Sequence, residues 1–162
     1  MYPKLPQLIK YLKTLKNTKS IFLVTNGQEP EMLKRLISEN ALPTQIYLSM
    51  NASNRRMFNI VNRPRYRDAW ERWNESLLLL SEMCTRTVVR ITLIRGYNES
   101  IEFINDFACF LKTGYPHFIE LKSYMHIGMS TSRLAKSAML DMDEVRNYST
   151  ELKKKLEKMD FL

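Results

Sequence analysis

The run Arg86-Thr-Val-Val-Arg-Ile-Thr-Leu-Ile-Arg-Gly-Tyr-Asn98 constrains the fold more than any other stretch of this chain. Its composition is that of a β-strand, yet Arg90 and Thr92 alternate with Val89, Ile91 and Leu93. Successive strand side chains point to opposite faces of a sheet. One face is therefore aliphatic, and the other carries a guanidinium and a hydroxyl. A parallel strand buried on both sides would be apolar throughout. The polar face calls for a ligand, a water-filled cavity or a charged partner, because an unpaired buried charge is costly.

Around this strand the chain alternates. Residues 5–15 predict a helix with Leu8, Ile9, Leu12 and Leu15 on one stripe. A strand over 20–24 ends at Thr25-Asn26-Gly27. Pro30 opens a helix to about Glu39 that presents Met32, Leu33, Leu36 and Ile37, and a second strand covers 45–51. Ser53 is expected to cap a short helix through Ile60. A long amphipathic helix over 67–83 carries Trp70, Trp73, Leu77 and Leu80. After the opening strand come a helix over 99–112 stopped by Gly114, a fourth strand over 118–124, an irregular loop, and a last helix over 143–159. This rhythm predicts α/β architecture, with parallel strands and helices outside, as a single domain over 1–162.

Composition narrows the classes. A chain of 162 residues, 44% apolar and 26% charged, can bury a real core. It has no long uncharged apolar run, so no membrane span is expected, and its first residues lack an apolar signal core. The expected location is cytoplasmic. Cys84 and Cys109 suit a reducing compartment and are expected to be buried thiols acting as small hydrophobes. A net charge of +8 points to a polyanion partner, nucleic acid above all, with a generically basic surface as an equal alternative.

In parallel α/β folds, ligands gather at the carboxyl ends of the strands. Those ends supply Thr25, Asn26 and Gly27, then Tyr47, Ser49 and Asn51, then Arg90, Thr92 and Arg95 to Asn98, then Glu120, Lys122 and Tyr124. Three successive strands with a polar face suggest a curved sheet around a polar cavity. The alternatives are a polar face open to solvent, and a structural ion pair between Arg90 and Glu120. His117 reads as a turn or surface residue, and His126, in the loop after the fourth strand, is open to a substrate contact or to a plain loop role. Phosphate-loop, dinucleotide and nucleophile-elbow motifs are absent.

Taken in order, the strand ends resemble a known family. Phe-Leu-Val-Thr-Asn-Gly (22–27), Ile-Tyr-Leu-Ser-Met-Asn-Ala (46–52), Asn-Arg-Pro (62–64), Asp-Ala-Trp-Glu-Arg (68–72), the 90–98 run, Phe-Ile-Glu-Leu-Lys-Ser-Tyr-Met (118–125) and the Ser130 to Leu134 loop are similar to the archaeal-type 4-demethylwyosine synthase family of radical S-adenosylmethionine enzymes. The resemblance implies a partial (β/α) barrel of radical SAM type whose N-terminal strands are missing. It also implies a lyase that converts N1-methylguanosine 37 of phenylalanine tRNA to 4-demethylwyosine. Its cofactors would be S-adenosylmethionine and 4Fe-4S clusters, with pyruvate as co-substrate.

The cysteine cluster motif and the Gly-Glu-Pro motif of that family are not in this sequence, and Asn51 stands where the family has Asp. The cluster ligands are therefore expected on a missing N-terminal half or a separate cluster-bearing chain, and this chain alone is expected to be inactive. By the same resemblance, Ser49 and Arg90 would hold the methionine carboxylate, with Thr25 and Asn26 near the adenosine and Asn51 and Thr92 beside them. Arg63, Lys122, Tyr124 and His126 would contact the guanosine and its phosphates. Arginines between 55 and 67 suit tRNA phosphates. Two other readings stand beside this one. The first is a non-catalytic basic RNA-binding module derived from such a barrel. The second is a small-molecule enzyme using Glu120 and Lys122 as acid and base.

Overall fold

A computed structural model describes residues 1–159. The helices are α1 (Leu5–Thr14), α2 (Pro30–Ser38), α3 (Arg55–Asn62), α4 (Ala69–Leu80), α5 (Ile104–Gly114) and α6 (Met142–Glu157). The strands are β1 (Phe22–Thr25), β2 (Gln45–Met50), β3 (Arg86–Leu93) and β4 (Phe118–Ser123), in the sheet order β1-β2-β3-β4. β1 and β2 pair in parallel, Phe22 opposite Gln45 and Thr25 opposite Leu48. Along β3 and β4 the partners ascend together. Thr87 bonds His117, Arg90 bonds Glu120, and the Tyr124 N–H reaches the Leu93 carbonyl at 2.8 Å, so this pair is parallel as well.

The chain packs as two compact units, and it passes from one to the other within β2, β3 and β4. The first comprises Met1–Ser49, Arg65–Val89 and Thr113–Ile119. There α2 lies on α4 and α1 on α2. Pro30 begins α2, where its missing N–H costs nothing, and the stripe Leu33 and Leu36 is fully buried. Trp73, Leu77 and Leu80 of α4 are buried with Ile46 and Leu48 of β2 in the same unit. At the sheet margin, Phe22 and Val24 of β1 are 55% and 54% exposed.

The second unit comprises Met50–Pro64, Arg90–Lys112 and the residues from Glu120 onward. Ile94, Tyr124 and Ala138 form one of its cores, with Val61, Tyr97, Leu134 and Met139 packed against them. Asp141 and Glu144 close a reciprocal capping box at the start of α6, which satisfies two backbone donors that a helix start otherwise orphans.

Five local expectations are corrected. Leu8 and Leu15 of α1 are exposed, because the helix buries only Pro6 and Ile9. The cap of α3 is Asn54, whose carbonyl oxygen accepts the Met57 N–H at 2.9 Å, and Ser53 is buried instead. Residues 101–103 form a 3₁₀ turn before α5 begins. Gly114 is the last residue of α5, and the left-handed residue after it is Tyr115. Gly114 serves close packing, since a Cβ there would come within 2.4 Å of Leu77 Cδ1. Both Cys84 and Cys109 are exposed. Phe107, Ala108 and Leu111 claim the buried face of α5, which turns Cys109 outward.

Candidate functional site

The first unit contributes the exits of β1 and β2. Thr25 is buried, and its hydroxyl accepts the Gly27 N–H at 3.1 Å, while Asn26 Oδ1 accepts the Gln28 N–H at 3.3 Å. Both side chains thus fold the turn that carries them. Gly27 has φ +72°, and an added Cβ would sit 2.8 Å from Leu48 Cδ1, so only glycine fits. The Ser76 hydroxyl donates to the Gly27 carbonyl at 2.8 Å. Beside the turn, Gln28 Nε2 donates to the Ala69 carbonyl, but Gln28 Oε1 is buried with no donor. Ser49 is half-buried, and its carbonyl accepts the Trp73 indole N–H at 2.9 Å.

The second unit contributes the exits of β3 and β4. Along β3, Val89, Ile91 and Leu93 are buried while Arg90 and Thr92 are half-exposed, the alternation expected from sequence. Arg90 meets Glu120 in a two-point fork, Nε to Oε1 at 3.0 Å and Nη2 to Oε2 at 3.1 Å. This is the ion pair kept open as an alternative above. Lys122 is half-exposed on the same strand. Asn51 Nδ2 donates to Asn62 Oδ1 at 3.0 Å, so a neutral amide pair stands at the exit of β2. Tyr124 is buried with its hydroxyl 3.1 Å from both His126 Nδ1 and Ser130 Oγ. Arg63 ends α3 in a left-handed conformation (φ 46°) and is exposed.

Among the expected site residues, Thr25, Asn26 and Ser49 therefore fall in the first unit. Asn51, Arg63, Arg90, Thr92, Lys122, Tyr124 and His126 fall in the second. Tyr124 and His126 are in direct contact, and Glu120 joins Arg90. Electrostatics reinforce the second unit. The Arg95 guanidinium and the Asp141 N–H hold the Glu144 carboxyl below its ordinary value of 4.5. Burial, aided by the Glu99 charge, pushes the Tyr148 phenol up. Among the described residues, no group of three or more His, Cys, Asp and Glu could hold a metal ion.

Comparison with known proteins supplies the family. A family model for wyosine base formation matches residues 113–162. The tRNA 4-demethylwyosine synthase of Pyrococcus abyssi is 36% identical over 96% of this chain, and that of Methanocaldococcus jannaschii is 37% identical over 90%. The chain is homologous to the C-terminal part of these synthases. It spans 44% and 43% of the two archaeal proteins, and 22% of the Oryza sativa synthase, to which it is 37% identical. A solved structure of TYW1 with a lysine–pyruvate adduct bound superposes with a TM-score of 0.76 at 34% identity. The match covers 94% of this chain and 46% of that one.

The sequence places Asn98 at the exit of β3 but does not show what its side chain does there. Asn98 is fully buried. Its Oδ1 accepts the Ile94 N–H at 2.6 Å, and its Nδ2 donates to the carbonyls of Thr92 (2.8 Å) and Asn51 (2.9 Å). One side chain thus ties the exit of β2 to that of β3. Its position after Arg95-Gly96-Tyr97 signalled a turn, and a turn asparagine commonly bonds its own backbone. Arg133 went unweighed, because it lies in the loop after β4, where no periodicity marks a role.

Proposed function

We propose that this chain is the C-terminal part of a tRNA-modifying enzyme of the wyosine type. In this reading it belongs to a partial radical SAM barrel, acts in the cytoplasm, and works only beside a cluster-bearing half. The complete enzyme would convert N1-methylguanosine 37 of phenylalanine tRNA to 4-demethylwyosine with pyruvate and S-adenosylmethionine. The observation that carries this reading is the alignment with tRNA 4-demethylwyosine synthases over 96% of this chain but 44% of the relative. The 4Fe-4S group does not fit here, since Cys84 and Cys109 are the only cysteines and a cluster needs more thiolates at close spacing. β1 ends the sheet order, so its edge is one that another strand could extend.

In this reading the Arg90 fork of the second unit binds the methionine carboxylate. The Glu120 carboxylate, held by Arg90 at two points, marks the position and geometry such a ligand would take. Thr25, Asn26 and the unpartnered Gln28 Oε1 line the adenosine side, where an exocyclic amine could supply the missing donor. Asn51 and Thr92 flank the cofactor, and Lys122, Tyr124 and His126 face the guanosine, which must leave its stack to react.

The test is reassembly. The chain is mixed with a separately produced cluster-bearing segment of an archaeal relative, the cofactors and tRNA carrying N1-methylguanosine. Product detected by nucleoside mass spectrometry only when both parts are present is the expected result. A stoichiometric 4Fe-4S cluster forming on this chain alone would sink the proposal. The +8 charge favours a second reading, a non-catalytic RNA-binding module. That reading predicts salt-sensitive tRNA binding, and no product from the reassembled pair.

A further inference from the structure

We infer that the cleft bounded by Arg63, Tyr97 and Arg133 is a phosphate subsite that grips the backbone of the RNA substrate. This rests on the tRNA reading above, and its test is chosen to fail separately. The cleft lies wholly within the second unit, with Val61, Ile94 and Leu134 as its apolar walls. The cleft is small and opens to solvent, which suits a phosphate group. No acidic residue lines it.

What sets Arg63 and Arg133 apart is that both line one acid-free cleft. Arg35, Arg72, Arg90, Arg95 and Arg146 each hold a carboxylate of this chain. Among the described residues, neither Arg63 nor Arg133 forms an ion pair, although they share one cleft. Two cationic side chains on the wall of one acid-free cleft favour an anion there. Arg133 is already aimed: its Nη2 donates to the Val61 carbonyl at 2.8 Å, which leaves most of its donors unused.

Arg63 is held in an unusual way. It takes the left-handed position that Gly or Asn ordinarily fills after a helix, and it precedes Pro64, which disfavours helical backbone at the residue before it. Strain of this kind gathers where a side chain must be presented. The half-buried Tyr97 ring on the cleft wall offers a surface for the sugar or base next to the bound phosphate. Arg55 and Arg56 of α3 extend the same unit's basic surface.

The experiment measures binding of an anticodon stem-loop transcript to the full chain by fluorescence anisotropy, from about 50 to about 300 mM salt. Arg63→Gln with Arg133→Gln should weaken binding about tenfold at low salt and flatten the slope of log K against log salt by about 1 to 2. Arg63→Lys with Arg133→Lys should keep most of the slope, and Arg146→Gln should change nothing. Unchanged affinity and slope in the Gln pair, with native circular dichroism, overturns the inference, as does a wild-type chain whose RNA binding ignores salt. Arginine Nε resonances of Arg63 and Arg133 should shift with the transcript. Saturation by millimolar inorganic phosphate, with an RNA slope indifferent to the Gln pair, would assign the cleft to free phosphate and overturn the RNA claim. A reassembled enzyme that makes no product while the Gln pair still flattens the slope defeats the catalytic reading and spares this one.

Discussion

Two strand exits in this molecule turn at a glycine, and they are held in opposite ways. At the end of β1, Gly27 is wedged, and an added Cβ would meet Leu48 at 2.8 Å and Trp73 at 3.0 Å. At the end of β3, Gly96 also has positive φ, but nothing lies within 4 Å of its would-be Cβ. That second turn is held by hydrogen bonds. The Glu99 carboxylate accepts the N–H groups of Gly96 (2.8 Å) and Tyr97 (3.2 Å), and Asn98 ties three backbone groups. The first exit is enforced by exclusion and the second by polar satisfaction. A packed turn tolerates no added atom, whereas a hydrogen-bonded turn tolerates bulk but not the loss of a donor or acceptor.

The largest expected effect follows from that contrast. Gly27→Ala adds a left-handed penalty to overpacking and should destabilise by about 2–4 kcal/mol. Gly96→Ala meets open space and should cost about 1 kcal/mol from backbone conformation alone. Urea unfolding of the two variants measures the gap. Equal costs would mean that the packing at Gly27 relaxes freely, and the distinction between the exits would be lost.

Next comes Asn98→Ala, which orphans the Ile94 N–H and removes a side-chain donor from the Thr92 and Asn51 carbonyls. A loss of about 2–3 kcal/mol is expected, the desolvation cost of buried polar groups left unpaired. Because Asn98 joins the exits of β2 and β3, amide exchange should quicken at Ile94 before it quickens in α2. Uniform acceleration would instead point to general loss of stability.

The same contrast explains what was legible in sequence. Packing leaves a periodic trace, so the alternation of Val89, Ile91 and Leu93 with Arg90 and Thr92, and the Trp73, Leu77, Leu80 stripe, were readable and are observed. Polar ties leave none. Ser53 and Asn54 are adjacent residues of equal capping ability, and only coordinates show that Asn54 accepts the Met57 N–H. Gly114 looked like a helix stop, but its role is to let Leu77 approach, a contact 37 positions away in sequence. Of the candidate site, the residue types at the strand ends were legible. The Arg90 to Glu120 fork was one of several open possibilities, and the parts played by Asn98 and Arg133 depend on neighbours remote in the chain.

A smaller effect is expected at that fork. Arg90 and Glu120 have side chains 27% and 39% exposed, so their coupling in a double-mutant cycle should be about 0.5–1 kcal/mol. Function should respond more than stability. Glu120→Gln removes the internal competitor for Arg90, and should tighten S-adenosylmethionine binding to the reassembled enzyme several-fold in calorimetry. Weaker binding would mean that Glu120 positions Arg90 for the ligand rather than standing in its place.

The smallest effect concerns acid. Each unit carries a carboxyl held low by an arginine, Asp68 by Arg72 in the first and Glu144 by Arg95 in the second. A carboxyl whose folded pKa lies below its unfolded value lends stability that is fully present above the unfolded value. That contribution is lost as pH falls through the folded one. Both contributions should therefore be intact at neutral pH and fade only below the ordinary values, about 4.5 for Glu144 and 3.8 for Asp68. They should fade with different structural consequences. Asp68 bonds Arg72 one turn along an exposed helix face, so its protonation should leave the backbone unmoved. Glu144 also accepts the Asp141 N–H in the capping box of α6, so its protonation should open the first turn of that helix. Amide exchange at Glu144 and Val145 should quicken below pH 4.5 in the wild type. In Glu144→Gln exchange should already be faster at neutral pH and lose that pH dependence, because the neutral amide can neither pair with Arg95 nor titrate. If Asp68→Asn abolishes it instead, the acid response belongs to the first unit, and polar ties do not set the second apart.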